Sequence, residues 1–147
     1  MSVNIDNKTI KTEIFIAKLN IDKIFNYLKQ KVLSQSELSG WIDISKIKSS
    51  MSYVELMTAM RWMPQFDKDG NIIVLLHDGF NVAEEELLFR TIAPFVKDGS
   101  FVEYEREGYS SDLKVRFDFT DKKVNITTWK KQYDELLDED KFIVIQE

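Results

Sequence analysis

The residues best suited to chemistry stand close together in the middle of the chain. His77, the only histidine, closes an apolar run and is followed at once by Asp78, with Glu84, Glu85 and Glu86 a few positions on. An imidazole beside a carboxylate can carry a proton near neutral pH, and α/β enzymes place such groups at strand ends. The plainer reading is a histidine closing a strand, with the glutamates solvated at a helix start. It takes precedence, because a perturbed group needs burial that a sequence does not display.

Other chemistries are excluded by composition. One histidine rules out a His–His metal site, and the absence of cysteine rules out disulfides, thiolate sites and cysteine nucleophiles. The five glycines occur singly and form no phosphate-cradling loop, and there is no Gly-x-Ser-x-Gly elbow. Asp67-Lys-Asp-Gly-Asn71 opens like a calcium loop but has Ile72 at the sixth position and Asp78 at the twelfth. It is read as a tight turn. No catalytic residue, metal or cofactor is therefore assigned.

Charge is divided along the chain. Residues 1–63 hold nine Lys/Arg and six Asp/Glu, whereas residues 64–147 hold eleven and nineteen. An acidic chain with scattered lysines is poorly suited to nucleic acid, which needs clustered cations. The acidic half could instead attract a protein with a basic surface. The candidate binding residues are Glu84, Glu85 and Glu86 together with Asp138, Glu139 and Asp140, with His77 and Asp78 as an alternative site. Glu103, Glu105 and Glu107 could imitate a row of phosphates, but Lys114 and Arg116 should neutralise them.

The elements that must position these residues follow from periodicity. The expected fold is a single α+β domain over residues 1–147, built on a βαβββ unit at about 70–129 whose antiparallel meander carries helices on one face. Residues 1–10 are expected to be loose or weakly paired, with a short strand at Glu13–Ala17. Ile21, Ile24, Phe25, Leu28 and Val32 recur at helical spacing after Asn20, an N-cap residue type. Leu38–Ile44 reads as strand or extended loop, with Trp41 a core aromatic or a plug over one end of the core. Ser52 and Glu55 have capping-box spacing for a helix from Tyr53 to Trp62, ended by Pro64. The methionines around it read as core filler.

Ile72–His77 is apolar on both faces and should sit inside the sheet. A helix capped at Asn81 then buries Ala83, Leu87, Leu88, Thr91 and Ile92, and stops before Pro94. In the meander, Val102 and Tyr104 alternate with glutamates, and Val115, Phe117 and Phe119 with charges. Matching apolar faces sets Tyr104 opposite Phe117, Val102 opposite Phe119 and Glu105 opposite Arg116. This leaves Glu103 facing Asp118. A two-residue turn at Asp121-Lys122 sets Phe119 opposite Val124 and Phe117 opposite Ile126. After Trp129, Tyr133, Leu136 and Leu137 suggest a short acidic helix, and Phe142–Ile145 a last strand at an edge or against the N-terminal one.

The stretch from Ile92 to Glu105, about a tenth of the chain, resembles a phrase in uncharacterised bacterial and phage proteins in which a helix ends before a strand. The resemblance carries no activity.

Three functions remain. The first is a non-catalytic inhibitor occluding a protein partner, of the immunity-protein or phage anti-defence type. The second is a small enzyme or ligand-binding domain using His77, Asp78 and the glutamates, for which a deep pocket there would speak. The third is a subunit of a larger assembly, marked by an uncovered edge strand or apolar patch. With no signal peptide or long apolar run, a cytoplasmic location without membrane contact is expected.

Overall fold

The computed structural model describes residues 4–78, 82–108 and 111–146. In chain order the elements are β1 (Ile5–Glu13), α1 (Ile21–Leu33), α2 (Ile44–Ser49), α3 (Tyr53–Ala59), β2 (Trp62–Phe66) and β3 (Ile72–His77). They continue with α4 (Glu85–Ile92), β4 (Phe101–Arg106), β5 (Leu113–Thr120), β6 (Lys123–Asp134) and β7 (Glu139–Gln146). An antiparallel five-stranded sheet runs β1-β4-β5-β6-β7, and β2 and β3 form a separate two-stranded sheet. The fold is α+β, with the helices and the small sheet against the apolar face of the large one.

Alternation builds that face. Val102, Tyr104, Val115, Phe117, Phe119 and Val124 are buried. The pairing of β5 with β6 is as expected, Phe119 opposite Val124 and Phe117 opposite Ile126. Asp121 and Lys122 form the connecting two-residue turn, both at positive φ, 58° and 62°, which matches the twist of a hairpin.

The expected pairing of β4 with β5 is displaced by two residues. Tyr104 stands opposite Val115, Val102 opposite Phe117, and Glu103 opposite Arg116. A slip of two keeps every side chain on its face, so alternation alone cannot choose between these registers. Arg116 explains the preference. It reaches both Glu103 (Nη1 to Oε1, 3.4 Å) and Asp118 (Nε to Oδ1, 2.9 Å), which replaces the expected clash of those acids with a shared cation. Its guanidinium also lies over Phe101, 4.0 Å from the ring centre. Tyr104 and Phe117 remain neighbours on the buried face, as a diagonal pair with centroids 6.1 Å apart.

The N-terminus is more ordered than expected, since residues 5–13 form β1 on β4. The ladder bulges between Asp6 and Lys11, where Thr9 Oγ1 accepts the Glu105 N–H at 2.8 Å in place of a backbone carbonyl. The strand expected at 13–17 reduces to a bridge between Ile16 and Ile72, which joins the small sheet to the body.

In α1, Ile24, Leu28 and Val32 are buried as the period requires, but Asn20 lies in a preceding 3-10 turn and makes no side-chain cap. The stretch left between strand and loop leads into α2, where Asp43 Oδ1 accepts the Ser45 N–H at 2.9 Å. For α3 the capping residues act as expected, Ser52 Oγ accepting the Glu55 N–H at 3.2 Å and Glu55 Oε2 accepting the Met51 N–H at 2.7 Å. That helix ends at Ala59, because Arg61 takes a left-handed φ of 78° and turns the chain into β2. Pro64 falls within β2, where a strand in a two-stranded sheet can spare an N–H. Met57 and Met60 fill the core as expected, whereas Met51 is exposed.

The 67–71 turn forms with Gly70 at φ 85° and Asp67 Oδ1 accepting N–H groups from Asp69 and Asn71, both at 2.9 Å. These bonds, led by those from Asn71, hold the Asp67 carboxyl below its ordinary pKa. β3 is not inside the large sheet: β2 is its strand partner, and Ile73 and Leu76 face outward. The expected cap at Asn81 lies outside the described residues. α4 stops at Ile92 as expected, and a 3-10 turn at Ala93–Phe95 follows. It buries Phe89 as well as Leu88, Thr91 and Ile92. Phe89 sits at the centre of the core, with ring centroids 5.3 Å from Trp62 and 4.7 Å from Phe117.

The C-terminal third departs most from expectation. No helix follows Trp129. β6 continues to Asp134, a four-residue turn reverses the chain, and β7 returns along β6. β7 occupies the edge opposite β1, so the first and last strands do not meet.

Candidate functional site

His77 ends β3 with its side chain fully enclosed. Its ring meets Trp62 edge-on, centroids 4.8 Å apart. Nδ1 lies 3.6 Å from Asp78 Oδ1, and Asp78 Oδ2 in turn lies 2.7 Å from Arg61 Nε. Burial pushes the His77 pKa down to about 4, against the pull of Asp78 and with a smaller push from Arg61. The imidazole is therefore neutral at neutral pH and belongs to the core, while Asp78 holds the strained Arg61 turn in place. Arg61 also borders a groove of about 560 Å³ between α2 and α3, where Trp41 is 47% exposed. Trp41 is thus a surface residue rather than a core aromatic or plug.

The three glutamates are each engaged internally. Glu84 Oε1 accepts the Ser39 N–H at 2.5 Å, and Glu86 Oε1 lies 2.9 Å from Arg90 Nε one helical turn on. Glu85 is 4% exposed, and both its oxygens accept the Ala83 N–H, at 3.0 and 2.9 Å. Burial raises its pKa to about 7, more than those bonds lower it. A cavity of about 500 Å³ lies between this helix start and strands β4–β6, with Tyr104, Phe117 and Ile126 among its apolar lining and Glu85 and Arg106 among its polar one. Burial also holds the Tyr104 phenol protonated, well above its ordinary pKa. The cavity thus gathers the buried Glu85 carboxyl and Tyr104 hydroxyl with two guanidiniums, Arg90 and Arg106, and the carboxylates of Glu84 and Glu86. His77 and the glutamates are not brought together into one acid–base site: the histidine is in the core and the glutamates line a cavity wall.

Asp138, Glu139 and Asp140 are placed differently. β5 begins at Leu113, opposite Lys130, and the Lys131 N–H reaches Asp112 O at 2.9 Å. Beyond that point β6 and β7 pair only with each other among the described residues, Gln132 with Lys141, Tyr133 with Asp140 and Asp134 with Glu139. The result is a two-stranded arm. Its turn is tied by Asp134, whose Oδ1 accepts the Leu136 and Leu137 N–H groups at 3.0 and 3.3 Å and whose Oδ2 lies 2.8 Å from Lys141 Nζ. The Tyr133 hydroxyl donates to Asp138. Those bonds leave the acids facing water, and the apolar tip with them. Leu136 is 97% and Leu137 62% exposed.

β7 itself is uncovered. Ile143, Val144 and Ile145 are exposed, Ile145 to 54% as the extra residue of a bulge opposite Thr128 and Trp129. On the outer face Phe142 and Trp129 share the Lys114 ammonium, at 4.9 and 4.5 Å from the ring centres. The two candidate acidic sets lie at opposite ends of β6. From Ile126, which lines the Glu85 cavity, to Asp134 at the arm's turn is eight residues, roughly 26 Å of strand.

Among the described residues no group of three or more acidic or histidine side chains is placed to hold a metal ion, and no helix is long and apolar enough to cross a membrane. Comparison with protein-family models, curated proteins and solved structures finds no match for this chain.

Proposed function

We propose that the protein is a non-catalytic binding domain that engages a protein partner through β7 and the arm it forms with β6. One observation carries this reading. β7 is a long edge strand with apolar side chains on both faces, flanked by exposed Leu136 and Leu137. Soluble proteins ordinarily blunt such edges with charge, proline, bulges or a covering element. Here charge is confined to Glu139, Asp140 and Lys141 in its first half, the last held by Asp134, and from Phe142 onward only the bulge at Ile145 interrupts it. Contiguous exposed apolar surface of this kind marks an interaction site. The enzymatic reading has less support, because His77 is enclosed and the glutamates are tied to backbone and to Arg90. Occlusion of a partner and membership of an assembly both use such an edge.

The test pairs capture with hydrogen exchange. The full chain is used to capture partners from extracts of its source cells, alongside a Val144→Lys, Ile145→Lys variant whose fold is verified by circular dichroism. The expected result is a partner retained by the wild type, lost by the variant, and protecting β7 amides from exchange. A partner that the variant retains, or that protects the face opposite β7, would overturn the proposal.

A further inference from the structure

We infer that the occupant of β7 is an extended segment of the partner, added antiparallel as a sixth strand, apolar in its first half and basic in its second. The inference rests on the binding role assigned to β7 above. It follows from how charge and hydrophobicity are ordered along the strand.

An edge strand offers a row of unpaired N–H and C=O groups, and an added chain takes its affinity from them and its specificity from alternating side chains. Antiparallel pairing extends the existing sheet and is the more stable per residue. β7 runs from acidic to apolar: Glu139 and Asp140 come first, just after Asp138, and Phe142 to Ile145 follow. An antiparallel segment therefore meets Ile145 to Phe142 with its leading residues and Asp140 to Asp138 with its trailing ones. Phe142 and Val144 lie with Trp129 on the outer face, and Ile143 on the other, so the leading half can bury apolar side chains on both faces. The trailing half lies beside three exposed carboxylates. Lys141, next to Asp140 in the chain, is paired with Asp134 at 2.8 Å, and among the described residues Asp138, Glu139 and Asp140 form no ion pair. Charge order also disfavours a second copy. In a twofold antiparallel pair of β7 strands centred on Ile143, Asp140 would meet Gln146 and Lys141 would meet Ile145, so no basic residue would stand opposite Asp140.

Three peptides test this with the full chain: Thr-Val-Thr-Val-Thr-Lys-Arg-Lys, the same residues in reverse order, and a version with glutamate for each basic residue. Binding is read by the fluorescence of half-buried Trp129 in the neighbouring strand and by exchange protection of β7. The first peptide should bind about tenfold more tightly than either of the others, the gain that a few exposed ion pairs supply. Its advantage should disappear in the variant Asp138→Asn, Glu139→Gln, Asp140→Asn. Equal binding of the forward and reversed peptides, or binding of none, overturns the inference. So does sedimentation showing a dimer that Val144→Lys dissolves, which would make a second copy the occupant. Loss of the captured partner in the β7 variant would leave the binding role standing even then, because that result does not depend on strand order.

Discussion

Arg116 of β5 stands opposite Glu103 of β4 and also holds Asp118 on its own strand, so one guanidinium separates two carboxylates that would otherwise adjoin. These contacts, offset in part by desolvation, raise its already high pKa further. Replacing Arg116 with Met should therefore cost more than an ordinary surface pair, roughly 1–2 kcal/mol once the lost contact with Phe101 is included. Urea unfolding at low and high salt checks this. The cost should shrink with salt, and a salt-independent loss would point to packing alone.

Phe117 is buried against Phe89, with centroids 4.7 Å apart. Phe117→Ala should destabilise the fold by about 3–5 kcal/mol. A loss under about 1 kcal/mol in chemical denaturation would show that the cavity collapses or that the ring is not part of the cooperative core.

Two buried groups should give stability opposite slopes with pH. Glu85 has its pKa raised from 4.5 to about 7, so its contribution is fully present below 4.5 and is lost as pH rises through 7. His77 has its pKa lowered from 6.5 to about 4, so its contribution is present above 6.5 and is lost as pH falls through 4. Between these limits the two oppose each other. Glu85→Gln should stabilise the protein at pH 8 by up to about 3 kcal/mol, with the gain vanishing near pH 4.5. His77→Gln should unmask a stability that climbs as pH falls from 7 to 4.5. Denaturant midpoints across that range measure both.

Lys122 holds φ 62° in the β5–β6 turn, a conformation that costs a residue with a Cβ. Lys122→Gly should raise stability by about 0.5–1 kcal/mol. A lower thermal midpoint would contradict the turn geometry.

Association with a partner should depend on the arm rather than on the helix start. Asp138→Asn, Glu139→Gln and Asp140→Asn together should slow binding and weaken its salt dependence, since exposed complementary charge acts mainly on the association rate. Glu84→Gln and Glu86→Gln should change it little, because these side chains are turned to Ser39 and Arg90. Association kinetics against ionic strength separate the two acidic sets.

Alternation was legible in the chain, and so was one of the expected caps, whereas the cap expected at Asn20 does not form. The faces of β4, β5 and β6, the Asp121-Lys122 turn, the Ser52–Glu55 cap and the stop before Pro94 all follow from residue types. What was not legible depends on contacts distant in sequence. The β4–β5 register turns on Arg116 reaching two acids, and a shift of two residues leaves the hydrophobic pattern unchanged. Arg61 ends α3 by a backbone reversal that Asp78, seventeen positions away, holds in place, so Trp62 opens a strand instead of closing a helix. Tyr133, Leu136 and Leu137 have helical spacing, yet Asp134 accepts the Leu136 and Leu137 N–H groups and turns the chain into a hairpin. As for the candidate site, His77 and the glutamates are adjacent in sequence but enter different environments. An edge position for the last strand was one of its two readings and is the one that holds, but the pattern could not choose it, because an apolar strand looks the same whether or not another strand covers it.

The pairing of β1 with β4 has a consequence for synthesis. Ile5 pairs with Arg106 and Glu13 with Phe101, so the first strand made must wait for a partner about a hundred residues downstream. At ribosomal speeds of roughly 5–20 residues per second, that wait is about 5–20 s. Throughout it, residues 5–13 have no β4 to pair with. Their sequence suits the delay: Ile5 and Ile10 are the only large apolar residues between Asn4 and Glu13, so the segment stays soluble on its own. The sheet therefore closes at its N-terminal edge only after the helices and β4 have emerged, and the long-range contact makes folding slow relative to a helical chain of this size.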